Sequence, residues 1–157
     1  MSKEINIQIA EIGNIDEIYI LIKKCFSAYQ KTLGVDGKLA ALHETKDDIE
    51  NDILNNQVYI CIFNGKIVGS ARITKKLNDA ELTRFGIDPD HQTLGIGGLL
   101  LSRIIDDCID SKIDSVSLHS ACGKNSSVGF YENYNFVIEE ETHDLGYRRA
   151  KLVLHLK

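Results

Sequence analysis

Residues 88–101 read DPDHQTLGIGGLLL. Pro89 lacks an N–H and restricts the residue before it, so the preceding strand stops at Asp88. Gly95, Gly97 and Gly98 let backbone amides crowd together and point outward. A helix start adds more free amides and the positive end of a dipole. Together these features make a seat for an anion, most often a phosphate. The helix that follows repeats Ile96, Leu99, Leu100, Ile104 and Cys108 on one face.

On the N-terminal side, Ile5, Ile7 and Ile9 alternate with polar residues, a strand pattern. Asn14 is placed to cap a helix carrying Ile15, Ile18, Tyr19, Ile22 and Phe26. After the glycine-rich loop KTLGVDGK, Thr45 precedes an acid-biased first turn, and a second helix is expected to about Leu54. Asn64-Gly65 suits a two-residue type I′ turn between strands Val58–Phe63 and Lys66–Thr74. Glu81–Ile87 reads as a further strand. Beyond the glycine-led helix come a short strand at Val116 and Leu118, a short helix over 126–133, a strand from Phe136, and a last strand through Ala150, Leu152, Leu154 and Leu156. The order is β, α, α, three strands, α, β, α, β, β. Antiparallel runs mix with one β-α-β crossover, so the fold class is an α/β (α+β) mixed sheet.

The chain has 157 residues, of which 43% are hydrophobic, enough for a buried core in one domain over 1–157. With 18 basic and 23 acidic side chains the formal charge is −5, which argues against nucleic acid or an anionic membrane as partner. No segment has the apolar length of a membrane span or the pattern of a signal peptide, and the expected address is cytoplasmic. Cys25, Cys61, Cys108 and Cys122 match no zinc or redox spacing, and the histidines form no ligand cluster, so no metal is expected.

Which phosphate the loop holds is narrowed by what it lacks. A dinucleotide fingerprint wants glycine where Leu100 stands. Gly123-Lys124-Asn125 lacks the hydroxyl and the earlier glycine of a Walker loop. Gln92-Thr93-Leu94-Gly95-Ile96-Gly97 instead resembles the Q/R-x-x-G-x-G/A signature of the GNAT N-acetyltransferases, and lies where that family has it, between a fourth strand and a long helix. Asn125, followed by Val128 to Phe136, is similar to the family's N-x-x-A-x-x-F-Y-E-x-x-G-F segment. Val128 replaces the alanine and Asn135 the glycine; asparagine tolerates left-handed backbone nearly as glycine does. The element order matches over essentially the whole chain. The run Glu81–Phe85 also resembles a strand of acyl-homoserine-lactone synthases, which share the fold, but the second block and the short chain favour the N-acetyltransferases.

The resemblance implies a mostly antiparallel sheet splayed between strands four and five, and acetyl-CoA (coenzyme A) as co-substrate. The pyrophosphate would meet amides of Leu94, Gly95, Ile96, Gly97 and Gly98, with Gln92 ordering the loop or touching phosphate. Backbone groups of Phe85 and Ile87 would pair with the pantetheine arm, Asn125 would bond it, and Gly86 would mark the strand's bulge. Direct transfer needs a deprotonated amine, attack geometry and a proton for the departing thiolate. Tyr131 holds the family's proton-donor position, though packing beside Phe130 is open to it as well. Glu81 is the candidate base, with a solvated strand end as the alternative; His119 suits base work or a structural hydrogen bond. Arg84 needs a partner in a central strand, Glu81 or Glu44, either structurally or in the acceptor pocket. The acceptor is a small-molecule or protein amine, framed by residues 25–44 and 139–147, and a homodimer is compatible with the family. An intact anion loop without a working acid or base would instead make a non-catalytic CoA-binding sensor.

Overall fold

The computed structural model describes residues 4–33, 39–123, 126–143 and 147–157. Seven strands form one sheet: β1 (Ile5–Ile9), β2 (Gln57–Phe63), β3 (Lys66–Lys76), β4 (Asp79–Ile87), β5 (Ser115–Ala121), β6 (Val137–Thr142) and β7 (Arg149–His155). Their spatial order is β1-β2-β3-β4-β5-β7-β6. Every neighbouring pair is antiparallel except β4 with β5, which the crossover makes parallel. The expected mixed sheet and element order are therefore present.

The helices are α1 (Ile15–Leu33), α2 (Lys46–Asn55), α3 (Ile96–Asp110) and α4 (Val128–Glu132). Strand alternation sends Val58 and Ile60 to one face of the sheet, against Ile18 and Ile22 of α1 and Ile49 of α2. Tyr59 and Cys61 point the other way, into a second core with Leu100, Leu101 and Ile104 of α3. The sheet thus has helices on both faces, and β2 is buried nearly throughout.

Local chemistry explains most boundaries. Asn64 and Gly65 both take positive φ, 52° and 77°, as the tight β2–β3 turn requires. Thr45 caps α2 by accepting from the Asp48 amide, while the Asp48 carboxylate accepts from the Thr45 amide, a reciprocal capping box. Asn135 leaves α4 at φ 73°, in the left-handed region that its replacement of glycine demanded. Two expectations need correcting. Asn14 does not cap α1: its side chain accepts backwards from the Glu11 amide, closing a short 3-10 turn over Ile12–Asn14. On α3, Leu101 rather than Leu99 fills the core, and Leu99 is exposed, because both faces of this helix carry leucine and only the sheet selects one.

Candidate functional site

The glycine stretch opens as a short 3-10 helix over Pro89–Leu94, and Gly95 joins it to α3 at φ 75°. That left-handed joint strains most residues with a β-carbon, so the backbone conformation itself favours glycine at 95. Leu94 is exposed on the loop, whereas the Ile96 side chain is wholly buried and leaves only its amide to the loop. Gln92 donates from Nε2 to the Ile87 carbonyl at 3.2 Å, tying the loop to the end of β4. Gly98 lies against Tyr134 of the segment after α4, whose hydroxyl occupies the space a β-carbon would need.

β4 bulges one turn earlier in the chain. Ser70 of β3 faces Gly86 and Arg72 faces Thr83, so Arg84 and Phe85 together oppose the single residue Ala71. Arg84 carries the extra residue's twist at φ 52°. The bulge is therefore at Arg84, not at Gly86. Gly86 has a different task, since a β-carbon there would come within 3.1 Å of Cys25 on α1.

β4 and β5 pair only from Asp79–Ser115 to Glu81–Ser117 and then part. The gap widens into a cavity of about 580 Å³ between Leu82–Ile87 of β4 and Leu118–Ala121 of β5. Its floor reaches Gly95, Gly97 and Gly98, and its wall includes Phe130 and Tyr131 of α4. The rings of Phe85, Phe130 and Tyr131 form a cluster, with centroids 5.2 Å apart for Phe130–Tyr131 and 5.9 Å for Phe85–Tyr131. At the open end Tyr29 of α1 reaches across to Ser120 of β5, hydroxyl to hydroxyl at 3.4 Å.

Burial pushes the Tyr131 phenol well above its ordinary range, with the nearby Tyr29 adding to the effect. Tyr131 therefore keeps its proton at neutral and moderately alkaline pH. Burial also pushes the Cys25 thiol, on the same cavity's wall, up to about 12. Opposite, Lys23 of α1 donates to the carbonyls of Leu42 and Glu44 at 2.6 and 2.9 Å, pinning the segment before α2. This holds the Glu44 carboxylate inside, where both terminal nitrogens of buried Arg72 donate to it and the Arg84 Nε donates at 3.3 Å.

The sequence-derived candidates are thus largely brought together. Phe85, Ile87, Gln92, Gly95, Gly97, Gly98 and Tyr131 line one cavity, and His119 joins them from β5. Glu81 does not line it. It sits in the paired base of β4 and β5, with Lys76 3.8 Å from its carboxylate, because the strands diverge only after it. Asn125 lies outside the described residues. Tyr29, Ser120 and Arg149 also line the cavity. Of these only Tyr29 carried a sequence signal, as an aromatic ending the apolar face of its helix.

The residues present suit coenzyme A. A strand edge left unpaired between β4 and β5 offers amide partners to an extended amide-containing arm. It leads to three glycines and a helix N-terminus that suit a diphosphate. Among the described residues no group of acidic, histidine and cysteine side chains suits a metal ion, and no helix is long and apolar enough to cross a membrane.

The family model described as Acetyltransferase (GNAT) family matches residues 15–136. A [Ribosomal protein bS18]-alanine N-acetyltransferase of Escherichia coli is 29% identical over 73 residues, 46% of this chain and 49% of that protein. The matched segment is thus about half the length of this curated relative. The crystal structure of the ribosomal-protein-S18-alanine N-acetyltransferase from Escherichia coli superposes with a TM-score of 0.80 at 17% identity, covering 98% of this chain and 95% of that one. That of the PaiA N-acetyltransferase from Thermoplasma acidophilum, in complex with coenzyme A, gives 0.81 at 18% identity, covering 97% and 99%. At these identities the structural likeness shows the fold.

Proposed function

The chain belongs to the acetyltransferase (GNAT) family, and from that premise we propose that it is an N-acetyltransferase moving an acetyl group from acetyl-CoA directly to a primary amine. The observation that carries this is the parting of β4 from β5 around a cavity that joins the glycine loop to Tyr131. Acetyl-CoA, the family's co-substrate, supplies an acyl group activated as a thioester.

The chain's own residues divide the work. Amides from Leu94 to Gly98 bind the diphosphate, aided by the α3 dipole. The free edges of Phe85 and Ile87 align the arm, with Gln92 holding the Ile87 carbonyl in place. Tyr131 keeps a proton on its phenol oxygen beside the reacting end, where a departing sulfur would take it up. His119, on the opposite wall, is the group available to accept a proton from the amine. The aromatic cluster excludes water from that end.

A second reading, a CoA-binding sensor without turnover, is favoured by one observation: no carboxylate lines the cavity among the described residues. Thiol release from acetyl-CoA, measured against a broad amine panel, separates the two. Turnover with any amine establishes the enzyme. Tight CoA binding with no thiol release, even with an amine that binds the loaded protein, establishes the sensor.

A further inference from the structure

We propose that the acceptor amine carries a carboxylate and that Arg84 binds it; the inference rests on the acetyltransferase reading above. Arg84 occupies the β4 bulge in left-handed backbone, a conformation that arginine rarely adopts. Strain of this kind persists where surrounding structure imposes it, and it collects at functional sites. Here it turns the guanidinium toward Glu44, which accepts from Nε alone at 3.3 Å.

Glu44 is only 3% exposed and is itself gripped by buried Arg72, so Arg84 is braced from behind by one edge. Its two terminal nitrogens hydrogen-bond to no described residue. The side chain is 28% exposed and lines the cavity. A guanidinium held by Nε presents its Nη pair as a flat fork, the shape that a carboxylate accepts in two parallel bonds.

The charges agree. The cavity's ionisable lining includes Arg84, Arg149 and His119 but no aspartate or glutamate among the described residues. A polyamine entering it would find no counter-charge there. Glu44 and Asp52 together balance Arg72 and Arg84, so what Arg84 offers a ligand is the shape of its Nη fork, which matches the two coplanar oxygens of a carboxylate. Asp52 binds Arg72 from the outer side, and Asp48 acts on Arg84 at longer range with its carboxylate already engaged by the Thr45 amide.

Arg84 is also set apart from the diphosphate seat. Three residue steps along the strand, roughly 10 Å, carry the chain from it to Ile87, where it turns into the glycine loop. Phe85, its neighbour, has its ring 5.9 Å from that of Tyr131. Arg84 and Tyr131 line the same cavity, so an acceptor that sets its carboxylate on Arg84 and its amine toward Tyr131 is a compact molecule such as an amino acid.

The test uses the CoA-loaded protein and matched probes: free L-amino acids, their amides, spermidine and 2-aminoethyl phosphate. Binding is read by calorimetry and thermal shift, and transfer by thiol release. At least one amino acid should bind and be acetylated, with its amide weaker by about tenfold or more. Arg84→Asn, which suits the left-handed backbone, should weaken that amino acid by about tenfold while leaving CoA affinity unchanged. Arg84→Lys, keeping the charge without the fork, should fall between. Equal use of acids and amides, preference for spermidine or the phosphate, no amino acid bound, or a fall in CoA affinity on substituting Arg84 would each overturn the proposal. A protein that binds CoA but no carboxylate loses only this inference. One that binds the carboxylate but not CoA loses the acetyltransferase reading instead.

Discussion

The hydroxyl of Tyr134 occupies the position where a β-carbon on Gly98 would stand. The first turn of α3 and the chain leaving α4 are thus fitted to each other beside the glycine loop. Gly98→Ala would force the Tyr134 ring aside and, through it, Phe130, whose centroid is 5.4 Å away. We expect a loss of about 1–3 kcal/mol, the usual range for overpacking. In a Tyr134→Phe background the same change should cost less, since the ring carbon lies at an ordinary 3.6 Å. Urea unfolding of the four proteins measures this coupling.

Glu44→Ala should be far more damaging than Asp52→Ala. Glu44 takes two bonds from Arg72, which is 1% exposed, so its loss leaves a buried cation with only the more exposed Asp52 and should cost about 3–5 kcal/mol. The Asp52 side chain is 31% exposed, and its pair with Arg72 is weakened by solvent, so about 1 kcal/mol or less is expected. Thermal or urea unfolding of the two variants decides it, and equal losses would contradict the account.

Tyr131→Phe should lower kcat by about a hundredfold while CoA affinity stays near that of the parent. Burial keeps the phenol protonated, so the parent's rate should not fall between pH 7 and 9 through loss of this proton. A steady-state pH profile with chemistry rate-limiting checks both points.

Gly97→Ala should leave CoA binding nearly intact, because a β-carbon there meets Phe130 and Ile87 at 3.5 and 3.6 Å, ordinary contact distances. Gly97→Glu sets a carboxylate against the proposed diphosphate and should abolish binding. Calorimetric titration with CoA distinguishes them; similar affinity in two folded variants would move the diphosphate elsewhere.

Stability should decline above about pH 8.5, where free thiols begin to ionise. Burial raises the folded Cys61 thiol to about 12, so the unfolded chain releases its proton first. The stabilisation is whole below pH 8.5 and is lost as pH rises toward 12. Cys61→Ala should flatten the decline, as followed by urea midpoints from pH 7 to 10. Under native conditions Cys122, the one cysteine that is not buried, should react with thiol reagents before Cys25, Cys61 and Cys108.

Much of this was legible in the sequence where the cause is local. Asn64-Gly65, Thr45 with Asp48, and Pro89 before the glycines each act within four residues, and the structure has a turn, a helix start and a strand end at those places. The family's two blocks pointed to the same cavity from separate parts of the chain. The bulge escaped because glycine at 86 signals conformational freedom, whereas pairing of β4 with β3 transfers the extra residue to Arg84. Glu81 looked exposed to chemistry for a similar reason: where β4 leaves β5 is set by pairing with residues 36 positions on, and the parting begins only after that side chain.

By itself, then, the amino-acid order determined which segments are helix, strand and turn, and that a glycine-rich joint at residues 95–98 opens a long helix. Those follow from backbone sterics, side-chain periodicity and caps that act between near neighbours. Only the tertiary structure decided that Arg84 leans on Glu44, that Tyr134 covers Gly98, and that His119 rather than Glu81 faces the cavity. Such relationships depend on strand register and on which face each helix buries. Both are settled by packing across the whole sheet, where a shift of one residue would turn every side chain to the opposite face.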